Sequence, residues 1–276
     1  MRIALAQISA DADPDANLRR VRTEARAAAE AGARLVVFPE ATMCRFGVPL
    51  GPVAQPLDGP WASAVRALAR ELDLTLVVGM FTPSGDGRVR NTLLAVGPEA
   101  DTHYDKIHLY DAFGFAESDT VAPGDRPVTL PVDGVTVGLA TCYDVRFPAL
   151  FQNLAERGAD LVALPASWGA GPGKREQWEV LVRARALDSG AFVAACDQAD
   201  PTTVGGVAGT APTGVGASLV AGPLGQVVDR LGDAPGLLVV DVDPTQAGAA
   251  RAATGVLANR RPVPAAEAEP SPGAGG

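Results

Sequence analysis

The feature that most constrains the fold is a unit that recurs along the chain: a short unbroken apolar run, a stretch with apolar residues at helical spacing, and a second apolar run. Residues 2–8 are the first run, with Arg2 and Gln7 at its edges. Asp13-Pro14-Asp15 marks a turn and a helix start, and Leu18, Val21, Ala25 and Ala28/Ala29 follow at helical spacing. Gly32 stands where a helix stops, and Leu35-Val36-Val37-Phe38 is the second run, ended by Pro39. Such strand–helix–strand units build parallel sheets. The unit returns as helix 61–72 with strand 75–78, helix 148–157 with strand 161–164, and helix 176–188 with strand 192–195.

Between these units lie runs that read as antiparallel neighbours: 92–96, 128–132 and 135–139. The last two are joined by Asp133-Gly134, a strong hairpin signal. A further pair, 217–221 and 227–229, flanks Gly222-Pro223-Leu224-Gly225, and 237–242 is a final strand. The pattern predicts an α/β fold with mixed sheets and helices outside, and periodicity alone leaves one sheet or two open. A single domain is expected over residues 1–262, with 263–276, rich in Pro, Ala, Gly and Glu, as a flexible tail.

Composition narrows the function classes. A chain of 276 residues with 47% hydrophobic and 20% charged residues suits one large globular domain. A net charge of -9 argues against a nucleic-acid partner, which needs clustered Lys and Arg. No apolar run is long enough to span a membrane, and the opening residues read as a strand rather than a signal peptide, so the expectation is a cytoplasmic protein. Cys44, Cys142 and Cys196 are too few and too widely spaced for a disulfide framework or a zinc site, and no metal or other cofactor is expected. His103 and His108 are the only histidines, and no Gly-x-Ser-x-Gly elbow accompanies them.

Three residues stand out chemically. Cys142 follows the apolar run Val137-Gly138-Leu139-Ala140 and precedes helix-compatible sequence after Pro148. A cysteine at a strand-to-helix turn can expose its sulfur beside free backbone N–H groups. Glu40 sits just past the buried run ending at Phe38-Pro39, where α/β folds place their sites. Lys106 lies among aromatic and apolar neighbours in His103-Tyr104-Asp105-Lys106-Ile107-His108-Leu109-Tyr110. Each also has an ordinary reading on its own: a buried core cysteine, a solvated loop glutamate, a surface lysine.

Taken together, Phe38-Pro39-Glu40, Tyr104-Asp105-Lys106-Ile107-His108-Leu109 and Cys142-Tyr143-Asp144-Val145-Arg146-Phe147-Pro148 resemble the nitrilase-like carbon–nitrogen hydrolase family. Glu117 with Pro123-Gly124, Leu164-Pro165-Ala166-Ser167-Trp168 and the segment from Trp178 to Asp188 match in the same order. The resemblance implies a four-layer α-β-β-α sandwich, paired into a homodimer or higher homo-oligomer. It implies a triad of Glu40 as general base, Lys106 as charge stabiliser and Cys142 as nucleophile, with Glu117 beside the lysine and no cofactor. The implied reaction is hydrolysis of a small-molecule amide through a thioester, with the oxyanion held by Lys106 and the Tyr143 N–H. Burial raises the pKa of Glu40 while Lys106 lowers it, and sequence leaves that balance open.

Within the family the segments look most like the branch acting on ω-amides and deaminated glutathione. True nitrilases carry tryptophan after the nucleophile, and Tyr143 stands there instead. Two segments depart from that branch: Ala166-Ser167-Trp168, and the Gly/Ala/Thr-rich stretch from Thr202 to Gly216. Trp168 reads as a pocket wall or a packed rim residue, and Arg146 as a contact for a substrate carboxylate or one half of a structural ion pair. Cys44 and Cys196 read as structural. An acyl transferase using the same triad and a silent binding protein with this fold are the competing readings.

Overall fold

The computed structural model describes residues 1–207 and 211–262, so the expected tail at 263–276 lies outside the described residues. Two six-stranded mixed sheets stack face to face. The first contains β1 (Arg2–Gln7), β2 (Leu35–Val37), β3 (Thr75–Pro83), β4 (Val89–Val96), β5 (Asp101–Asp105) and β12 (Gly236–Asp241), in the order β12-β1-β2-β3-β4-β5. The second contains β6 (Val128–Val132), β7 (Val135–Leu139), β8 (Leu161–Ala166), β9 (Phe192–Asp197), β10 (Leu219–Ala221) and β11 (Val227–Arg230), in the order β11-β10-β9-β8-β7-β6. β1, β2 and β3 run parallel, as do β7, β8 and β9. The remaining pairs are antiparallel.

Strand alternation explains the layers. In β1, Ile3 and Leu5 face the second sheet and pack with Val137, Leu139, Leu161 and Phe192, while Ala4 and Ala6 face the opposite way. That outer face is covered by α1 (Pro14–Glu30) and α2 (Pro60–Leu72) through Leu18, Val21, Trp61 and Val65. The outer face of the second sheet is covered by α3 (Pro148–Glu156) and α4 (Lys174–Ser189) through Phe151, Leu154, Trp178 and Val182. The result is the four-layer α-β-β-α sandwich. Strands buried on both faces read as continuous apolar runs, which is why the central ones were visible in the sequence.

The local signals act as expected at several ends. The Asp13 carboxylate accepts the Asp15 N–H at the start of α1, and Gly32 has φ +80°. Asp133 and Gly134 have φ +52° and +76°, the paired positive angles of a tight hairpin turn between β6 and β7. Two elements were not anticipated: β5, whose Asp101-Thr102-His103-Tyr104-Asp105 is an edge strand with little apolar pattern, and α5 (Thr245–Thr254), whose only buried residues are Ala247 and Ala250. β3 also continues past Val78 to Pro83, pairing with β4 over its whole length.

One glycine governs the turn that carries Glu40. The chain after β2 crosses β3 at Gly79, where an added Cβ would meet Ala41 N at 2.7 Å and Pro39 O at 2.8 Å. The Gly79 carbonyl accepts the Met43 N–H at 2.9 Å, so the Pro39–Ala41 turn is laid directly on this strand. Gly79→Ala is expected to destabilise by about 1–3 kcal/mol, the usual penalty for overpacking. Gly51→Ala, with nothing within 4 Å, should cost far less. Paired thermal and urea unfolding of the two variants checks this, and equal stabilities would count against so close a crossing.

Candidate active site

The carboxyl ends of parallel strands from both sheets open on one pocket, as they do in α/β folds generally. Glu40 follows β2, Lys106 follows β5, Cys142 follows β7 and Ser167 follows β8. The pocket has a volume of about 360 Å³ and is lined by all four, together with Glu117, Tyr143, Arg146 and Trp168. The seven residues singled out in the sequence are therefore brought together.

Lys106 is 2% exposed, and its Nζ donates to Glu40 Oε1 and to Glu117 Oε2, each at 2.9 Å. Asn91, on β4, ties the same two carboxylates together: its Nδ2 donates to Glu40 Oε1 at 2.7 Å and to Glu117 Oε1 at 3.1 Å. Glu40 Oε2 accepts the Ser167 N–H at 2.9 Å, and Glu117 Oε2 accepts the Tyr110 N–H at 2.7 Å. The Glu40 carbonyl accepts the Gln198 side-chain amide at 2.9 Å, which holds the turn from the second sheet.

Cys142 opens a 3-10 turn, Cys142–Arg146, with φ +45°, a strained angle for a residue with a side chain. Its Sγ lies 3.8 Å from the Ser167 carbonyl. Tyr143 stands in the first turn of this element, where backbone N–H groups lack intrahelical acceptors. Asp144, fully buried, anchors the turn. Oδ2 accepts the Thr141 N–H at 2.8 Å and the Tyr104 hydroxyl at 2.7 Å, and Oδ1 accepts the His108 N–H at 3.0 Å with the His108 ring Nδ1 at 2.7 Å. One carboxylate thus joins the Cys142 turn to the Lys106 segment. Phe147, read as packing, stacks on the His108 ring with centroids 3.7 Å apart.

The electrostatic balance left open by the sequence is resolved in favour of burial at Glu40. Burial raises its pKa, Lys106 lowers it, the Glu117 charge raises it again, and the net direction is up. At Glu117 burial also raises the pKa, but Lys106 and hydrogen bonds from Tyr110 and Asn91 outweigh it, and the net is below the ordinary glutamate range. Lys106 is pushed down by burial and up by Glu117 and Glu40, ending well above a free lysine, so it stays charged. Burial and the Glu40 charge push the Cys142 thiol up, so the resting sulfur is protonated beside a carboxylate of raised basicity. That arrangement can move a proton from thiol to Glu40 and stabilise a developing oxyanion by a fixed cation.

Farther out, Arg146 lies 5.2 Å from the Trp168 ring centroid and 5.8 Å from those of Tyr143 and Phe113. Its Nη2 donates to the Gln177 side chain at 3.0 Å, and among the described residues it makes no ion pair. Lys174, also lining the pocket, places Nζ 3.4 Å from the Phe113 centroid. Trp168 is a wall of the pocket and is also packed against Trp178 at 5.2 Å, so both of its readings hold. Cys44 and Cys196 are buried, and neither lines the pocket. Sequence reasoning missed Asn91, Lys174 and the anchoring role of Asp144. A polar residue inside the strand Val89–Val96 was the available signal for Asn91; Lys174 carried none.

A protein described as a hydrolase from Mycobacterium tuberculosis is 61% identical over 94% of this chain and 95% of its own. The deaminated glutathione amidase of Escherichia coli O157:H7 is 34% identical over 86% of this chain and 88% of its own. Among solved structures, a mutant amidase from Nesterenkonia sp. AN1 matches with a TM-score of 0.77 and 29% identity, covering 95% of this chain and 94% of that one. In that structure the acetamide moiety of fluoroacetamide is covalently added at the active-site cysteine. Residues 2–252 match the model of the carbon-nitrogen hydrolase family, and the chain belongs to that family.

Proposed function

We propose that this protein hydrolyses a small carboxamide whose acyl part carries an anionic group, through a thioester on Cys142. The observation that carries the reading is the convergence of Glu40, Lys106 and Cys142 in one pocket, with Lys106 held by two carboxylates. Glu40 takes the thiol proton of Cys142, and the sulfur attacks the amide carbon. Lys106 and the Tyr143 N–H receive the charge that develops on the carbonyl oxygen. Glu40 returns the proton to the leaving amine as the C–N bond breaks. It then accepts a proton from a water that attacks the thioester, and passes it to the departing sulfur. The products are a carboxylic acid and ammonia or an amine.

The anionic group is the finer part of the proposal. Arg146 and Lys174 both line the pocket, and among the described residues neither is paired with a carboxylate. Cations in a pocket partly shielded from water attract an anionic ligand more strongly than cations in open solvent, and the deaminated glutathione amidase among the relatives fits that class. The homodimer implied by the resemblance remains part of this reading.

Three outcomes test it. Cys142→Ala should abolish ammonia release from a panel of ω-amides, and mass spectrometry of the quenched wild-type reaction should find an acyl adduct on Cys142. Full turnover by the alanine variant would sink the mechanism. Arg146→Ala and Lys174→Ala should each raise KM for carboxylate-bearing amides about 10- to 100-fold, the equivalent of one charge-assisted hydrogen bond. Neutral aliphatic amides should be unaffected, and an equal loss on both classes would remove the anion-binding role. Because Glu40 works as a base only when ionised and its pKa is raised, kcat/KM should be full at high pH and fall as pH drops through that raised value. The acid limb is therefore expected above the range of a free glutamate; a limb at or below that range would contradict the assignment.

A further inference from the structure

Another buried acid, besides Glu40 and Asp144, stands behind the pocket and takes no part in the proposed chemistry. Asp197, at the end of β9, is fully buried. Its Oδ1 accepts the Trp168 N–H at 2.7 Å and its Oδ2 accepts the Val215 N–H at 2.8 Å. The preceding N–H of the same chain, that of Ser167, points to Glu40 Oε2 at 2.9 Å. Two successive amides are thus held by two carboxylates from opposite sides, Glu40 within the pocket and Asp197 behind it. Ser167 also presents its carbonyl to Cys142 Sγ at 3.8 Å, and Trp168 supports Arg146. Anything that shifts this dipeptide moves the acceptor geometry of Glu40, the seat of the thiol and the pocket wall together.

We propose that Asp197 is a positioning residue for the reaction: by accepting the Trp168 N–H it fixes the Ser167-Trp168 backbone so that the Ser167 N–H stays on Glu40 Oε2. The inference rests on the base role proposed for Glu40.

The surroundings of Asp197 suit this role. Its contacts after β8, on the 211–216 segment and just before β10 are with backbone N–H groups and with Ser218, whose Oγ accepts the Asp197 N–H at 2.9 Å. The titratable groups facing it are Glu40 and the adjacent Cys196, whose thiol is raised by burial first and by Asp197 in addition. Burial pushes the Asp197 carboxyl up to about 7, against the pull of the Val215, Trp168 and Gln198 N–H groups, and the Glu40 charge adds to the rise.

The test reads Cys142 directly and needs no amide substrate. The rate of Cys142 alkylation by iodoacetamide, followed by peptide mass spectrometry as a function of pH, reports the ionisation of its base. In Asp197→Asn the Trp168 N–H loses its acceptor and the Ser167 N–H its fixed aim at Glu40 Oε2, so Glu40 loses a donor to its charged form and the acid limb of that profile should move up by on the order of one pH unit. One side-chain oxygen also becomes an NH₂ facing a backbone N–H, so alkylation above the limb should slow as well. Ser218→Ala, which removes bonds to the Asp197 backbone and leaves both carboxyl contacts in place, should lower the melting temperature and leave the limb in place. An Asp197→Asn protein that is less stable but has an unmoved limb would overturn the proposal. Should that variant fail to fold, Asp197→Glu gives a second measurement: the longer side chain should displace the Ser167-Trp168 backbone from Glu40 and move the limb in the same direction, and an unmoved limb overturns the proposal. Absence of amide hydrolysis would count against the proposed function while leaving the alkylation result intact, so the two failures are distinguishable.

Discussion

The structure turns on one buried ammonium. Lys106 is 2% exposed and lies 2.9 Å from each of two carboxylates. An isolated charge at that depth is strongly disfavoured, and a buried pair holds only when the remaining lone pairs are also satisfied. Here they are satisfied from several elements: Asn91 on β4, the Tyr110 N–H beyond β5, the Ser167 N–H after β8. Each donor fixes the position of one carboxylate oxygen, so the lysine cluster also fixes how strand ends from the two sheets meet. Removing one partner would leave a buried charge uncompensated, which is why the network is all or nothing.

The sheets are joined at this edge by polar contacts, whereas their faces are joined by apolar packing. Between the faces Leu5, Val37, Val77, Val137 and Leu161 interlock without polar atoms. Beyond the strand ends, Asp144 ties the Cys142 turn to Tyr104 and His108, and Gln198 ties the second sheet to the Glu40 turn. The apolar layer supplies the stability and is insensitive to small rotations of one sheet on the other. The hydrogen bonds are directional, and they set the distance between a lysine carried by one sheet and a cysteine carried by the other. This division accounts for a positive φ at Cys142: backbone strain of about 1–3 kcal/mol persists only where the surroundings overdetermine it, and Asp144 does so here.

How much of this was legible in the sequence depends on where each signal resides. Strands buried on both faces announce themselves by composition, so β1, β2, β8 and β9 could be read locally. β5 could not, because an edge strand with a His-Tyr-Asp sequence is specified by its pairing with β4 and not by its own pattern. The proposed triad was legible only through the order of its motifs, since Glu40, Lys106 and Cys142 lie after three different strands and each has an ordinary reading alone. Asn91 carried only the weak signal of a polar residue inside a strand, and Asp197 was missed, for the same reason in stronger form: their side chains work through contacts with residues 18 or more positions away. Arg146 shows another case: sequence offered two roles, a contact for a substrate carboxylate or half of a structural ion pair, and the side-chain hydrogen bond it makes is to Gln177.

The two glutamates on Lys106 differ in a way that assigns them different work. Both accept from the same ammonium and the same asparagine amide, so their partners alone do not distinguish them. What differs is depth: the Glu40 side chain is 1% exposed and that of Glu117 is 9%. Two carboxylates around one cation cannot both be ionised at equal cost, so the shallower one keeps its charge and the deeper one becomes the better base. The pKa of Glu117 accordingly falls and that of Glu40 rises. A glutamate that stays ionised neutralises and aims the lysine. A glutamate poised to take a proton, hydrogen-bonded on its far oxygen to the chain beside the sulfur, is placed for exchange with the thiol. On the proposed reaction the proton shuttles while Lys106 remains a fixed cation, and it is the unequal burial of two chemically identical side chains that keeps those tasks apart.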